Sequence, residues 1–348
     1  MRRQTRKIQI GKIFVGRDAP VSIQSMTKTK TSDIDATVNQ ISRLEQVGCE
    51  IIRIAVPNEL AARAITSIKN QINIPLVADV HFDYKLAILS IEAGADKIRI
   101  NPGNIYRVDQ IEQVLTKAKD HDIPIRIGVN TGSLEKDSLK KYGGPCAAAL
   151  VESAMRHVEI CEKFGFENLV VSLKSSDVHL MIDAYRLIAT KIDYPLHLGV
   201  TEAGPERIGL IKSAIGIGAL LKEGIGDTIR VSLTADPVKE VQAGIDILQS
   251  LNLKNDRVHI VSCPTCGRME VDLCNIVKEV GEKTSHVKRS IKIAIMGCCV
   301  NGSGEAREAD IGIACGRKRA VLFKKGRAVR TIPESKIIPE ILKEIKAY

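Results

Sequence analysis

The chain has 348 residues, 44% hydrophobic and 26% charged, with 51 Lys and Arg against 41 Asp and Glu for a formal charge of +10. That length accommodates one large core with a smaller second domain, and the composition excludes a disordered or fibrous chain. The positive balance asks for an anionic partner, but aromatics at 3% and the absence of Trp leave a nucleic-acid reader without a base-stacking platform.

No apolar run approaches the roughly 20 residues of a membrane span. The basic start, Met1–Lys7, is not followed by the apolar stretch of a signal peptide, so a cytoplasmic location is expected. Nine cysteines, an odd number without framework spacing, fit that compartment better than a secreted disulfide scaffold.

Residues 8–15 read as a short hairpin-like cap. A strand, turn and amphipathic helix then alternate eight times. The expected strands are 20–26, 51–56, 75–81, 97–101, 124–130, 168–174, 195–201 and 228–233. The expected helices are 33–47, 59–70, 83–93, 107–120, 147–164, 177–191, 205–221 and 238–250. Eight such units predict a (β/α)8 barrel, an α/β fold, over residues 1–252. Beyond it the rhythm changes, and residues 253–348 read as a small α+β domain. Its expected elements are strand 258–262, helix 267–280, strand 291–296, a loop, short strands near 309–314 and 319–323, and helix 335–346.

The barrel strands alternate, with Ile, Val or Leu on one face. The other face carries Ser22 and Gln24, Arg53, Asp79 and His81, and Lys97, Arg99 and Asn101. It continues with Arg126 and Asn130, Ser172 and Lys174, His197 and Thr201, and Arg230 and Ser232. The polar set therefore points into the barrel and is weighted toward the strand C-termini, the end where barrel enzymes place their chemistry. Arg53, Arg99, Arg126, Arg230 and Lys174 bring five cations toward one lumen, with Asp79 and Glu202 as the nearby carboxylates. A buried charge left without a partner costs roughly 3–5 kcal/mol, so an arriving anion is expected, and guanidinium forks suit phosphate oxygens. His81 and His197 are read as hydrogen-bonding groups, and Cys49 and Cys161 as small buried hydrophobes.

Two motifs carry the chemistry of the second domain, Ser262–Cys–Pro–Thr–Cys–Gly267 and Met296–Gly–Cys–Cys–Val–Asn–Gly–Ser–Gly–Glu305. Cys263 and Cys266 are spaced to share one metal centre, and Cys298 offers a third thiolate. The absence of a second C-x-x-C argues against a closed zinc ribbon. Three thiolates with Gly297, Gly302 and Gly304 around them suit an iron–sulfur cluster, with Cys274 and Cys315 as further candidates for a fourth ligand.

These two motifs resemble the 4-hydroxy-3-methylbut-2-enyl diphosphate synthase family, iron–sulfur reductases of the methylerythritol phosphate route to isoprenoids. The likeness continues through Val77–Asp83, Arg99–Asn104, Ile125–Glu135, Thr201–Gly204 and Glu223–Ser232, and so covers nearly the whole chain. The chain departs from the family pattern at Cys299, where an aliphatic residue is expected, and at Ser303, where proline is expected. The resemblance implies a [4Fe-4S] cluster on Cys263, Cys266, Cys298 and Glu305. It implies substrate contacts from Arg53, Arg99, Asn101, Arg126, Asn130, Lys174, Arg230 and Ser232. Asp79, His81 and Glu202 become the polar and proton-handling groups, with Glu202 the proton donor. The implied reaction opens and dehydroxylates 2-C-methyl-D-erythritol 2,4-cyclodiphosphate, with electrons from reduced flavodoxin or ferredoxin.

The eighth helix should carry the chain about 20 Å back from the barrel mouth, at ~1.5 Å per residue. The second domain then starts at the opposite end from the cation pocket, and a head-to-tail homodimer with active sites shared between chains is expected. Two other readings stay open on the residues alone. One is a pterin-type barrel transferase with a zinc-stapled tail, and the other is a zinc-stabilised nucleic-acid-binding protein.

Overall fold

A computed structural model describes residues 2–101, 104–105 and 107–348, apart from the side chains of residues 299 and 301. Ile8–Ile10 (β1) and Ile13–Val15 (β2) pair antiparallel as the expected hairpin. Ile8, Ile10 and Val15 pack on Ile51, Val77 and Val170, so the hairpin closes one end of the structure that follows.

The alternation proceeds through Ser22–Met26 (β3), Ile34–Gln46 (α1), Ile51–Val56 (β4), Glu59–Lys69 (α2), Leu76–Val80 (β5) and Tyr84–Glu92 (α3). Lys97–Ile100 (β6), Val108–Asp120 (α4) and Ile125–Asn130 (β7) follow, then two consecutive helices, Lys136–Tyr142 (α5) and Ala147–Lys163 (α6). Leu169–Lys174 (β8), Val178–Ala189 (α7), His197–Leu198 (β9), Glu206–Lys222 (α8), Thr228–Ile229 (β10) and Pro237–Ser250 (α9) complete it. The helix Lys136–Tyr142 was not expected; it lies in the longest of the eight units.

Eight parallel strands take the order β8-β7-β6-β5-β4-β3-β10-β9, and a parallel bridge between Val171 and Leu196 joins the two ends. The chain is therefore the predicted TIM barrel. Its helices start where the sequence supplies caps: the side chains of Asp33, Asn58, Asp83, Asp177 and Asp236 each accept a backbone N–H of the first turn. Each such cap contributes about 1 kcal/mol. Ile52, Ile54, Ala78, Val80, Ile98, Ile100, Ile125 and Ile127 are buried on the helix-facing side of the strands.

A second compact unit begins at Asn255, two residues beyond the expected boundary. Its elements are Val258–Ser262 (β11), Leu273–Thr284 (α10), Ile291–Met296 (β12), Cys299–Arg307 (α11), Ile311–Gly316 (β13), Arg319–Lys324 (β14), Arg327–Pro333 (β15) and Ile337–Ala347 (α12). The sheet order is β11-β12-β13-β14-β15; the first three strands are parallel and the last two add antiparallel.

Three expectations here need correction. The helix after the C-x-x-C turn starts at Leu273, six residues late, because the Asp272 side chain caps it by accepting Asn275 N. The second cysteine motif is mostly helix, not loop, although its glycines disfavour one. Tertiary contact decides: a Cβ on Gly302 would meet Ala314 Cβ at 3.1 Å, and one on Gly312 would overlap Ala306. Small residues thus let α11 lie directly on β13. Strand β15 was not expected, and it covers the edge of β14. Among the described residues, no helix is long and apolar enough to cross a membrane.

Candidate active site

At the C-terminal ends of the barrel strands the inward side chains leave a cavity of about 190 Å³. Eight of the expected site residues line it: Arg53, Asp79, His81, Arg99, Arg126, Asn130, Lys174 and Arg230. Met26, Ser172 and Thr201 complete the lining. Three expected residues stand apart. Asn101 is buried and donates to Ser133 Oγ at 2.8 Å, Ser232 is half-buried just past β10, and Glu202 is exposed just past β9. Glu202 adopts φ +50°, a left-handed conformation uncommon outside glycine and often tied to function. Of the Arg99–Asn104 block, Pro102 and Gly103 lie outside the described residues.

The pleat explains the gathering. Asp79 is the register partner of Arg99, Arg99 that of Arg126, and Asn130 that of Lys174, so neighbouring strands present these groups at matching levels. Arg99 is the best-held cation. Its Nη1 donates to Asp79 Oδ1 at 3.0 Å and to His81 Nε2 at 2.7 Å, and its Nη2 donates to the Gly128 carbonyl at 3.0 Å. Because Arg99 can only donate, His81 Nε2 accepts from it; His81 Nδ1 lies 2.8 Å from Asn104 Nδ2. Arg53 Nε lies 3.7 Å from the other Asp79 oxygen.

Charge in the lumen is unbalanced. Six cationic side chains (Arg53, Lys97, Arg99, Arg126, Lys174 and Arg230) are buried or nearly so, and the carboxylates paired with them are Asp79 and Glu240. Burial raises the Asp79 carboxyl, yet Arg53, His81 and Arg99 outweigh it and hold it well below the usual carboxylate range. The cations show the opposite strain. Burial first, then Arg53 and Arg99, push Arg126 well below the usual arginine value. Burial, then Arg126 and Arg53, do the same to Lys174 and, with Arg126 ahead of Arg53, to Lys97. Arg230 is pushed down to about 10 by burial and Arg53, against the pull of Glu240. Arg126 Nε and Nη2, Arg230 Nε and Lys97 Nζ have no hydrogen-bond partner among the described residues. Such donors call for an acceptor, and an anionic ligand with several oxygens satisfies them.

Sequence reasoning missed Glu240, whose Oε2 accepts from Arg230 Nη2 at 3.4 Å and whose Oε1 accepts Leu233 N at 3.0 Å. A charged residue in an amphipathic helix looks solvated. The available signal was its place on the stripe of Pro237, Val241, Gly244 and Leu248, all buried.

In the second unit β11 and β12 are adjacent and parallel, with Ser262 opposite Ile295, so the two cysteine motifs leave the same end of the sheet. Gly297 N donates to Cys263 Sγ at 3.3 Å, and Cys298 is the N-cap residue of α11. Cys263 and Cys298 are half-buried; Cys266, Cys274 and Glu305 are exposed. Among the described residues no three Cys, His, Asp or Glu side chains stand close enough to hold a metal as they are placed. The donor chemistry nonetheless suits an iron–sulfur cluster: the thiols come from neighbouring loops and one sulfur already accepts a backbone N–H. Cys315 lies inside β13, and burial, with Glu334 and the two neighbouring cysteines, pushes its thiol up to about 12. The Cys299 side chain lies outside the described residues. Gly302 is accounted for by helix packing, whereas a Cβ on Gly304 would meet nothing.

Residues 5–245 match the family described as the GcpE TIM-barrel domain, and residues 259–347 match the GcpE protein C-terminal domain. The 4-hydroxy-3-methylbut-2-en-1-yl diphosphate synthase (flavodoxin) of Caldanaerobacter subterraneus subsp. tengcongensis is 58% identical over 346 residues, 99% of this chain and 98% of that protein. The protein of the same name from Clostridium tetani is 55% identical over 345 residues, 99% of each chain. Among solved structures, the Yersinia pestis dihydropteroate synthase has a TM-score of 0.50 at 15% identity, over 71% of this chain and 98% of that one. A likeness at that identity concerns the barrel fold alone.

Proposed function

This chain belongs to the GcpE family, and from that membership we propose that it reductively opens and dehydroxylates 2-C-methyl-D-erythritol 2,4-cyclodiphosphate to (E)-4-hydroxy-3-methylbut-2-enyl diphosphate. It is an oxidoreductase of isoprenoid precursor biosynthesis. Two electrons enter, the ring C–O bond to phosphate breaks, and a hydroxyl leaves as water. The relatives' names carry flavodoxin, which we take as the electron donor here.

The observation that carries this reading is the surplus of buried cations over carboxylates at the barrel mouth. In it Arg53, Arg126, Lys174 and Arg230 grip the two phosphoryl groups, and Asn130 orients the sugar hydroxyls. Asp79 keeps Arg53 and Arg99 aimed without neutralising the rest. The hydrogen bonds of Arg99 to Asp79, His81 and Gly128 fix one fork in advance, which lowers the ordering cost of binding. Asn101 and Ser232 support the rim, and Glu202 carries the proton that the departing hydroxyl takes up. When bound, a [4Fe-4S] cluster held by Cys263, Cys266, Cys298 and Glu305 supplies single electrons and a Lewis-acidic iron. A cytoplasmic site suits these reduced thiols.

The enzyme works as a homodimer whose chains share active sites. Support comes from where the barrel unit ends: Lys254 Nζ lies 3.1 Å from Glu50, the residue before β4, at the end away from the cavity. Ile208, Ile211 and Ile215 form an exposed apolar stripe on α8, at a spacing suited to burial against a second copy.

The test is turnover of the cyclodiphosphate by protein purified without oxygen, with reduced flavodoxin and mass-spectrometric detection of product. Iron and inorganic sulfide in the active preparation agree with the proposal. One tightly bound zinc, no sulfide and unaltered substrate would overturn it.

A further inference from the structure

The second unit carries a charged feature that the reaction at the barrel mouth does not use. Strands β13 and β14 are joined by the two-residue turn Arg317–Lys318, since Gly316 pairs with Arg319. Arg317, Lys318 and Arg319 are all exposed. None of them has an ion-pair partner among the described residues, although the neighbouring Glu334 donates its backbone N–H to the Lys318 carbonyl at 3.3 Å. Elsewhere in this unit Lys283, Lys324 and Arg330 are each paired with a glutamate.

The turn has an unusual residue choice. Lys318 adopts φ +58°, in the left-handed region that glycine occupies freely and that two-residue hairpin turns usually give to glycine or asparagine. A lysine there accepts backbone strain and places a cation at the apex. The tight turn also holds the three cations on a short rigid support, so little order is lost when they are engaged.

Position gives the tip its meaning. Because β11, β12 and β13 run parallel, their C-terminal ends lie on one side of the sheet. Cys263 follows β11, Cys298 follows β12 by two residues, and Arg317 follows β13. Adjacent strands are ~4.8 Å apart, so the tip stands about 10 Å from the Cys263 strand end. Arg268, exposed and two residues past Cys266, adds a cation on that side. The exposed cations therefore border the cysteine loops.

We propose that the Arg317–Lys318–Arg319 hairpin tip, with Arg268, is the docking surface for an acidic electron-carrier protein, which presents carboxylates around its redox centre. The inference rests on the reductase reading and adds which surface receives the donor. Complementary charge at the rim raises the association rate and sets the orientation, and salt weakens it.

The test compares wild type with the triple variants Arg317→Glu/Lys318→Glu/Arg319→Glu and Arg317→Gln/Lys318→Gln/Arg319→Gln, each as anaerobically purified holoenzyme. Flavodoxin binding is measured by surface plasmon resonance at low and high salt, and turnover is driven by flavodoxin or by dithionite. Charge reversal should weaken flavodoxin binding about tenfold or more at low salt, with the glutamines intermediate and the difference shrinking at high salt. Iron and sulfide content, dithionite-driven turnover and the KM for substrate should stay within about twofold, as expected for a rim charge. Equal flavodoxin binding by all three proteins overturns the proposal. So does a raised substrate KM with dithionite, which would make the tip a site for substrate phosphate. Failure of the wild type to convert substrate under dithionite would instead sink the reductase reading, and the binding measurement would still judge the docking surface.

Discussion

Gly128 lies directly beneath the guanidinium of Arg99: a Cβ placed on it would stand 2.5 Å from Arg99 Nε, while its own carbonyl accepts Arg99 Nη2 at 3.0 Å. Its φ is not left-handed, so glycine is needed here for space and not for backbone freedom. Gly199 is another close approach: an added Cβ would stand 2.4 Å from the Arg230 carbonyl oxygen and 3.0 Å from Lys174 Nζ. Gly128→Ala should displace Arg99 from Asp79 and His81. The expected cost is about 1–3 kcal/mol in stability, the range for overpacking a full site. Substrate KM should rise more than kcat falls, because the lesion is in a binding fork. Thermal unfolding and steady-state kinetics check both; unchanged kinetics would mean that Arg99 does not touch substrate.

Asp79 is the counterion on which two arginines depend. Asp79→Asn leaves Arg53 and Arg99 without a formal charge partner and should cost roughly 3–5 kcal/mol, the range for breaking a buried pair. The pH dependence has a defined sign. The folded-state pKa is depressed below the unfolded value of about 3.9, so the folded protein gives up this proton more readily. The stability that Asp79 contributes is complete above that value and is lost as pH falls through the folded pKa. Urea unfolding of wild type between pH 5 and 3 should therefore lose stability more steeply than that of Asp79→Asn. Parallel curves would assign the acid limb to other carboxylates.

The inner face of the barrel was legible because a strand shows its two faces in alternate residues. Arg99 and Asn101, or Ser172 and Lys174, cannot belong to the apolar side. Ten of the residues so chosen line one cavity. Glu240 was missed because its role depends on which part of α9 faces Arg230 ten residues earlier, a relation between a strand end and a helix face that only the buried stripe of α9 hints at. Helix α11 escaped for the converse reason: its glycines argue locally against a helix, and only the close approach of Ala306 to Gly312 shows why one forms. The C-x-x-C spacing located the thiols, but no spacing rule could show that β11 and β12 release both motifs from one sheet end.

Lys97 is fully buried on β6, its Nζ has no hydrogen-bond partner among the described residues, and the charges of Arg126 and Arg53 repel its own. Keeping such a group inside is costly, and Lys97→Met, similar in volume and without charge, should stabilise the protein by roughly 1–3 kcal/mol. Burial depresses the folded pKa, so between that value and the unfolded pKa of about 10.4 the unfolded chain binds more protons and stability rises with pH. Lys174 adds a slope of the same sign, so Lys97→Met should reduce the rise without abolishing it. Denaturation midpoints at pH 7, 8 and 9 give the measurement. A destabilised Lys97→Met protein would show that the ammonium has a partner in solution.

The two adjacent cysteines of the second motif can be told apart by substitution. Cys298 stands at the N-cap position of α11 and leaves the same sheet end as Cys263. Cys298→Ser should therefore lose iron, inorganic sulfide and the broad visible absorbance together. Cys299→Ser and Cys274→Ser should keep all three. Cys315→Ser should keep them as well, because its thiol is buried inside β13 among the apolar core residues of that unit. Metal and sulfide analysis of the four variants, purified without oxygen, reads this without any assay of turnover. Loss of the cluster in Cys299→Ser with retention in Cys298→Ser would move the third ligand by one residue and turn that side of α11 toward the iron.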